Sequence, residues 1–219
     1  MGTITAGSVI DKAAVQLFDV PNIRWTRAEL LNWVSMGQRT LILAIPEASA
    51  ATATVTLVSG TKQAIPTDGW MLFSANRNLG SSGTAPGPSL EPITRDILTR
   101  NNPAWSSTAT AAAVQTAYFY TPLDKTTWWC YPPADSSANK VEVTYSVSPT
   151  AITSESTTLL VNDVYEPVLM DYILYRACSK DAEYAPGMQL AQMYMQSFTA
   201  VLASLKGSTR EARTEAKSV

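Results

Sequence analysis

Trp25-Thr26-Arg27-Ala28-Glu29-Leu30-Leu31-Asn32-Trp33 opens the segment whose reading decides the fold. Thr26 and Glu29 have the spacing of a capping box, in which each side chain satisfies the other's backbone amide. Trp25 precedes the cap, where a hydrophobic staple onto Leu30 belongs. Leu30, Val34, Leu41 and Ile45, flanked by Leu31 and Ile42, then recur at helical spacing as a wide apolar stripe, and Pro46 closes it. Toward the N-terminus, Ser8 reads as the cap of an earlier helix. Ile10, Ala13, Ala14 and Leu17 form its apolar face, and Val20-Pro21-Asn22 ends it. The short link between the two predicts an αα-hairpin.

From Ala51 the hydrophobic period falls from about 3.6 to about 2. Val55 and Leu57 alternate with Thr54 and Thr56, so this is a half-buried strand. Ser59-Gly60-Thr61 turns the chain into a second strand at Lys62–Ile65, and Thr67-Asp68-Gly69 into a third at Trp70–Phe73. Asn78 to Pro88 is rich in Gly, Ser and Pro and reads as a loop. Glu91 to Leu98 reads as a short helix with Pro92 in its first turn, stopped by Asn101-Asn102-Pro103. Strands are expected at Ala117–Tyr120, Thr127–Tyr131 and Lys140–Ser146, with a turn at Tyr131-Pro132-Pro133-Ala134-Asp135-Ser136.

Helical spacing returns at Asp163-Val164-Tyr165-Glu166, which reads as a capping box with aspartate as the cap. Leu169, Tyr172, Ile173 and Ala177 carry that helix to about Glu183, and Ala185-Pro186-Gly187 breaks it. A last helix places Leu190, Tyr194, Phe198, Val201 and Leu205 on one face. Gly207 reads as its stop, and 207–219 as a mobile tail without an apolar stripe. The fold class is therefore α+β. Helical hairpins at 1–50 and 151–206 meet as a bundle, because each amphipathic helix must bury its stripe, and a β-rich module at 51–150 is inserted between them.

Chemistry is scarce. The 219 residues contain no histidine, which removes the commonest general base and metal ligand. Cys130 and Cys178 are too isolated for a zinc motif and read as free thiols. No phosphate-cradling glycine loop occurs. Paired carboxylates remain the only catalytic option, for example Glu142 with Asp124 or Asp135, and such acids are more often turn residues and caps. No catalytic residue, metal or cofactor is expected. Charged residues make up 16% of the chain, against about 25% in average soluble domains, which suits a protein that hides surface in an assembly. A net charge of −2 supplies no general attraction for nucleic acid. No apolar run is long enough to span a membrane, and Met1-Gly2-Thr3-Ile4-Thr5 lacks the features of a signal peptide, so assembly in the cytoplasm is expected. Tyr118-Phe119-Tyr120 and Trp128-Trp129 with Tyr131 form an aromatic cluster. Trp128 and Trp129 must face opposite sides of their strand, making Trp128, Trp129 and Tyr131 candidate interface aromatics.

The segment Trp25–Trp33 is one of several with a familiar pattern. With Gly60-Thr61-Lys62-Gln63-Ala64-Ile65-Pro66, Tyr131-Pro132-Pro133, Leu169-Met170-Asp171-Tyr172-Ile173-Leu174-Tyr175-Arg176-Ala177 and Ser179-Lys180-Asp181-Ala182-Glu183, it resembles a family of phage virion structural proteins akin to the head-to-tail adaptors, or connectors, of tailed double-stranded DNA phages. Gly83-Thr84-Ala85-Pro86 lies in a looser, longer loop than that pattern. The resemblance implies a subunit of a ring, commonly twelvefold, between the portal protein and a downstream tail or nozzle protein, with double-stranded DNA passing through its channel. It further implies a virion location and a C-terminal segment that reaches the portal, here bearing Arg210, Glu211, Arg213, Glu215 and Lys217. A tail-completion or tail-tube subunit is the structural alternative, and a glycan-binding β module the alternative of another class.

Overall fold

In a computed structural model, residues 2–135, 139–180 and 185–215 are described, with the side chains of 185 and 208–215 left outside that description. The described residues form five α-helices and seven strands in two sheets, an α+β protein. They divide into two compact units, Met1–Ser49 with Pro149–Val219, and Ala50–Ser148.

The discontinuous unit holds α1 (Ala6–Gln16), α2 (Arg27–Ala44), α4 (Glu166–Lys180) and α5 (Ala185–Glu215). The capping box at Thr26 and Glu29 is present in full. In α1 the cap is Thr5, whose hydroxyl accepts from the amide of Ser8, so Ser8 lies inside the first turn and is not the cap. This helix also stops sooner than proline alone would require, at Gln16, for a reason given below. Its buried face is Ala6, Val9, Ile10, Ala13 and Ala14. Helix α2 buries Leu30, Trp33, Val34, Leu41 and Ile42, and packs on α1 and on α4. Gly37 permits the second contact, since a Cβ there would stand 2.9 Å from the ring of Tyr172. Two buried polar side chains of α2 hold the chain as it returns from the other unit: Ile152 N–H donates to Ser35 Oγ at 3.1 Å, and Leu160 N–H to Gln38 Oε1 at 2.7 Å. Arg27 adds a forked pair to Glu155 at 2.9 and 2.6 Å, and reaches Asp11 at 2.9 Å.

Asp163 does not cap α4. Asn162 caps a single 3-10 turn, and α4 begins at Glu166. The Asp163 carboxylate is engaged instead by Thr3 N–H at 2.7 Å, Thr3 Oγ1 at 2.6 Å and Ile4 N–H at 3.1 Å, which tie the N-terminus down. The buried side of α5 is Ala191, Phe198 and Leu202, with Tyr194 and Leu205 half-buried, whereas Leu190 and Val201 point outward. Gly207 is no stop, because α5 runs on to Glu215. The expected end of α4 near Glu183 falls outside the described residues.

The continuous unit contains β1 (Ala50–Thr56), β2 (Gly60–Ala64), β3 (Gly69–Gly80), β4 (Glu91–Pro92), α3 (Arg95–Asn101), β5 (Ala117–Thr121), β6 (Asp124–Ala134) and β7 (Lys140–Val147). One sheet has the order β1-β7-β3 and the other β2-β6-β5-β4. The first two strands are thus neighbours in sequence but not partners in a sheet; each pairs with a strand more than 60 residues away (Val55 with Val141, Lys62 with Trp129). The turn between them is closed by the Gln63 side chain, which accepts from Val58 N–H and donates to Val58 O and Gly60 O. The third strand continues past Phe73 to Gly80. Glu91-Pro92 is a short edge strand rather than a first helical turn, and Thr94 caps α3. Tyr131 to Ala134 belongs to β6, with a cis Tyr131–Pro132 peptide, where a turn was expected; Ser136 falls outside the described residues.

Leu57, Ile65, Leu72, Tyr118, Trp128, Cys130, Val141, Val143 and Tyr145 from both sheets share one core. Leu98, Trp105 and Phe119 form a smaller cluster on the other side of β5 and β6, beneath α3. Urea unfolding should show that Leu30→Ala, fully buried on α2, costs roughly 2–5 kcal/mol. Thr26→Ala removes only a cap and should cost about 1 kcal/mol. Equal midpoints for both variants and wild type would mean that α2 does not anchor the unit.

Candidate interaction surfaces

The four-residue stretch after α1 is built around a conflict. The Phe18 amide donates to Val15 O at 3.1 Å and that of Asp19 to Ala14 O at 2.9 Å, the hydrogen-bond pattern of a Schellman stop. That stop needs a left-handed residue, usually glycine, at the position Phe18 occupies with φ +54°. The Asp19 carboxylate locks the following turn by accepting from the amides of Trp25 at 2.9 Å, Arg24 at 2.9 Å and Ile23 at 3.0 Å. These bonds, the one from Trp25 foremost, hold its pKa below the ordinary aspartate value of 3.8. Held this way, the Phe18 side chain is 96% exposed and Ile23 82%, with Val15 and Val20 also bare. An aromatic kept in strained backbone and turned to solvent is a candidate contact residue. Sequence reading took Val20-Pro21-Asn22 only as a stop; the surplus of apolar residues between two capped helices was the available signal.

Beside this loop, a groove of about 520 Å³ runs between α1, α4 and α5, lined by Val15, Pro167, Met170, Leu174 and Tyr194. Its rim carries the Lys12–Glu166 ion pair and Asp171, which accepts from Ser197 Oγ.

The sequence-predicted aromatics separate as strand parity demands. Trp128 is wholly enclosed in the two-sheet core, so it is not an interface residue of the free chain; its indole N–H donates to Ala64 O at 3.4 Å. Trp129, on the opposite face, is half-buried and stacks on Phe119 with ring centroids 5.2 Å apart. Tyr131 is half-buried, and its hydroxyl accepts from Asn102 Nδ2 at 3.1 Å. Phe119 and Trp129 line a second hollow, of about 350 Å³, together with Ile93, Arg95, Trp105 and Tyr120.

The carboxylates weighed as a catalytic pair are each engaged elsewhere. Glu142 binds Arg77 at 3.0 Å and Asn76 at 3.3 Å, and Arg77 lowers its pKa. Asp124 caps its own turn through Thr126 and Thr127, and Asp135 accepts from Asn139. Burial raises the thiol of Cys130 to about 11, so it stays protonated and unreactive at neutral pH. Among the described residues there is no cluster of side chains suited to a metal, and no helix long and apolar enough to cross a membrane. The side chains of Arg210, Glu211, Arg213 and Glu215, and the whole of Lys217, lie outside the description, although the backbone as far as Glu215 is helical.

One family model, that of the SU10 adaptor protein, matches residues 4–218. Among curated proteins, none matches the chain.

Replacing Phe18 by glycine should raise stability by up to about 1 kcal/mol, because the left-handed strain disappears, while stripping the aromatic from the surface. A fall in stability would show that the ring packs on the subunit itself. For Asp19, the lowered pKa contributes stability that is complete above the ordinary value of 3.8 and disappears as pH falls through the folded value. The melting-temperature gap between wild type and Asp19→Asn should therefore be widest near neutrality and close in acid. A gap independent of pH would assign the loss to shape rather than charge.

Proposed function

The chain belongs to the SU10 adaptor protein family, phage adaptors, and from that membership we propose that it joins head to tail as one of a ring of identical subunits. The ring, twelvefold in this reading, sits between the portal protein and the next tail or nozzle protein, and double-stranded DNA crosses its channel. The role is structural, not catalytic. The match over residues 4–218, nearly the whole chain, carries this reading.

Within it, the helical unit acts as a bundle of two hairpins and forms the scaffold. The exposed apolar loop at Phe18 makes contact between subunits, since large desolvated aromatics dominate such interfaces. The end of α5, with Arg210, Glu211, Arg213, Glu215 and Lys217, reaches the portal. Support for that comes from length: α5 has 31 residues against 15 in α4, and among its described side chains the last buried one is Leu202. At 1.5 Å per residue, roughly 20 Å of helix extends beyond Leu202. Trp129 and Tyr131 on the continuous unit face the next tail protein.

Imaging of purified particles tests the assignment directly. Density for this chain as a ring below the portal is expected, and density along the tail tube would transfer it to tail completion. Deleting 207–219 should leave the melting temperature nearly unchanged while abolishing attachment to portal-bearing heads; wild-type joining by the truncated chain would move the portal contact elsewhere. DNA must slide through such a channel, and a chain of net charge −2 offers it little hold. Filter binding should therefore detect no sub-micromolar affinity for duplex DNA at physiological salt.

A further inference from the structure

We propose that two copies of the free subunit pair through the outer edge of β1, antiparallel, so that two three-stranded sheets become one sheet of six strands.

The described sheets have four edges: β1 and β3 in one, β2 and β4 in the other. An edge strand presents a row of backbone donors and acceptors to any passing strand, and proteins blunt it with charge, proline, bulges, brevity or a covering segment. Three of these edges are blunted. The strand β4 is two residues long, and one is Pro92, which has no N–H to offer. In β2 a lysine, Lys62, stands at a break in register with Gly60. In β3 the register against β7 breaks four times, and the chain beyond it folds back along its open side. There Asn78 N–H donates to Pro88 O and Leu90 N–H to Asn76 O, with a bridge between Arg77 and Ser89.

The β1 edge has none of these devices. Ala50-Ala51-Thr52-Ala53-Thr54-Val55-Thr56 contains no charge and no proline, and it pairs with β7 residue for residue without a break. Among the described residues, no strand lies on its other side. Thr52, Thr54 and Thr56 are exposed on one face, while Ala51, Ala53 and Val55 rest against the core on the other.

Its occupant must be uncharged, because Thr and Ala offer nothing to a charge stripped of water. It must also have an open edge of its own. Among the described strands, β1 alone meets both conditions. Run antiparallel about Ala53, it is self-complementary: Thr52 stands opposite Thr54 of the second copy, and Ala51 opposite Val55 of the second copy. Threonine pairs of this kind favour pairing, and a two-fold axis normal to the sheet keeps the core faces on one side. The contact is isologous, unlike the head-to-tail contacts that close a ring, and it holds or fails independently of the ring.

Sedimentation of the full-length chain at micromolar concentration should show a dimer. Thr54→Lys should weaken it about tenfold or more, since the ammonium would be buried opposite an uncharged strand. Glu142 lies across from Thr54 on β7, so the lysine is tolerable within the subunit, as an unchanged melting temperature would verify. As a test free of folding effects, Thr52→Cys and Thr54→Cys chains, each also carrying Cys178→Ser, would be mixed under mild oxidation. Mixed covalent dimers should exceed those from either chain alone. A monomeric wild type, association unchanged in folded Thr54→Lys, or no excess of mixed cross-links would each overturn the proposal.

Discussion

The helical unit depends on a bond made across the whole inserted module. Ser35 and Gln38, one turn apart on α2, hold the amides of Ile152 and Leu160, 117 and 122 residues further on. Around them Gly37 admits the Tyr172 ring, and Arg27 grips Glu155. Neither half of the unit can bury its apolar stripe alone, and the loop between the halves must close before any of these contacts forms. Polar side chains suit the task, because a buried amide left unmatched is penalised in every wrong register.

Local chemistry was legible from the residues and distant pairing was not. The capping box at Thr26 and Glu29 involves residues three apart, so its spacing in sequence is its spacing in space. The α+β class followed from the change in period at Ala51. Strand partners did not follow, because alternation states which face is buried without stating against what. Hence β1 and β2, adjacent in sequence, lie in different sheets. Asp163 misled for the same reason: its capping pattern was local, while Thr3, which holds it, is 160 residues away. In α5 the apolar residues outnumber the buried positions, and among the described side chains Leu190 and Val201 point outward while Ala191, Phe198 and Leu202 face inward.

The surfaces were less legible than the fold. Strand parity correctly separated Trp128 from Trp129, but nothing in the sequence said which of them the core would take. Phe18 was invisible as a site because its exposure arises from the backbone: a left-handed stop filled by phenylalanine turns the ring outward, and Asp19 keeps it there. A chain with 16% charged residues retains both a plain strand edge and a bare aromatic loop, because few charges are available to blunt either.

Beyond Leu202, the last buried side chain among those described, α5 continues as helical backbone to Glu215, which has the geometry of a lever arm. The last well-buried aromatic on α5 is Phe198, and the backbone remains helical for another 17 residues, about 26 Å of rod. Tilting α5 on α4 by about 10° would swing Glu215 through roughly 4–5 Å, whereas the side chains at the pivot would move by less than the width of a methyl group. Small repacking around Tyr172 and Phe198 is thereby amplified at the tip. The arm also works in reverse, so a load applied near Glu215 is delivered with mechanical advantage to the aromatic pair at its fulcrum.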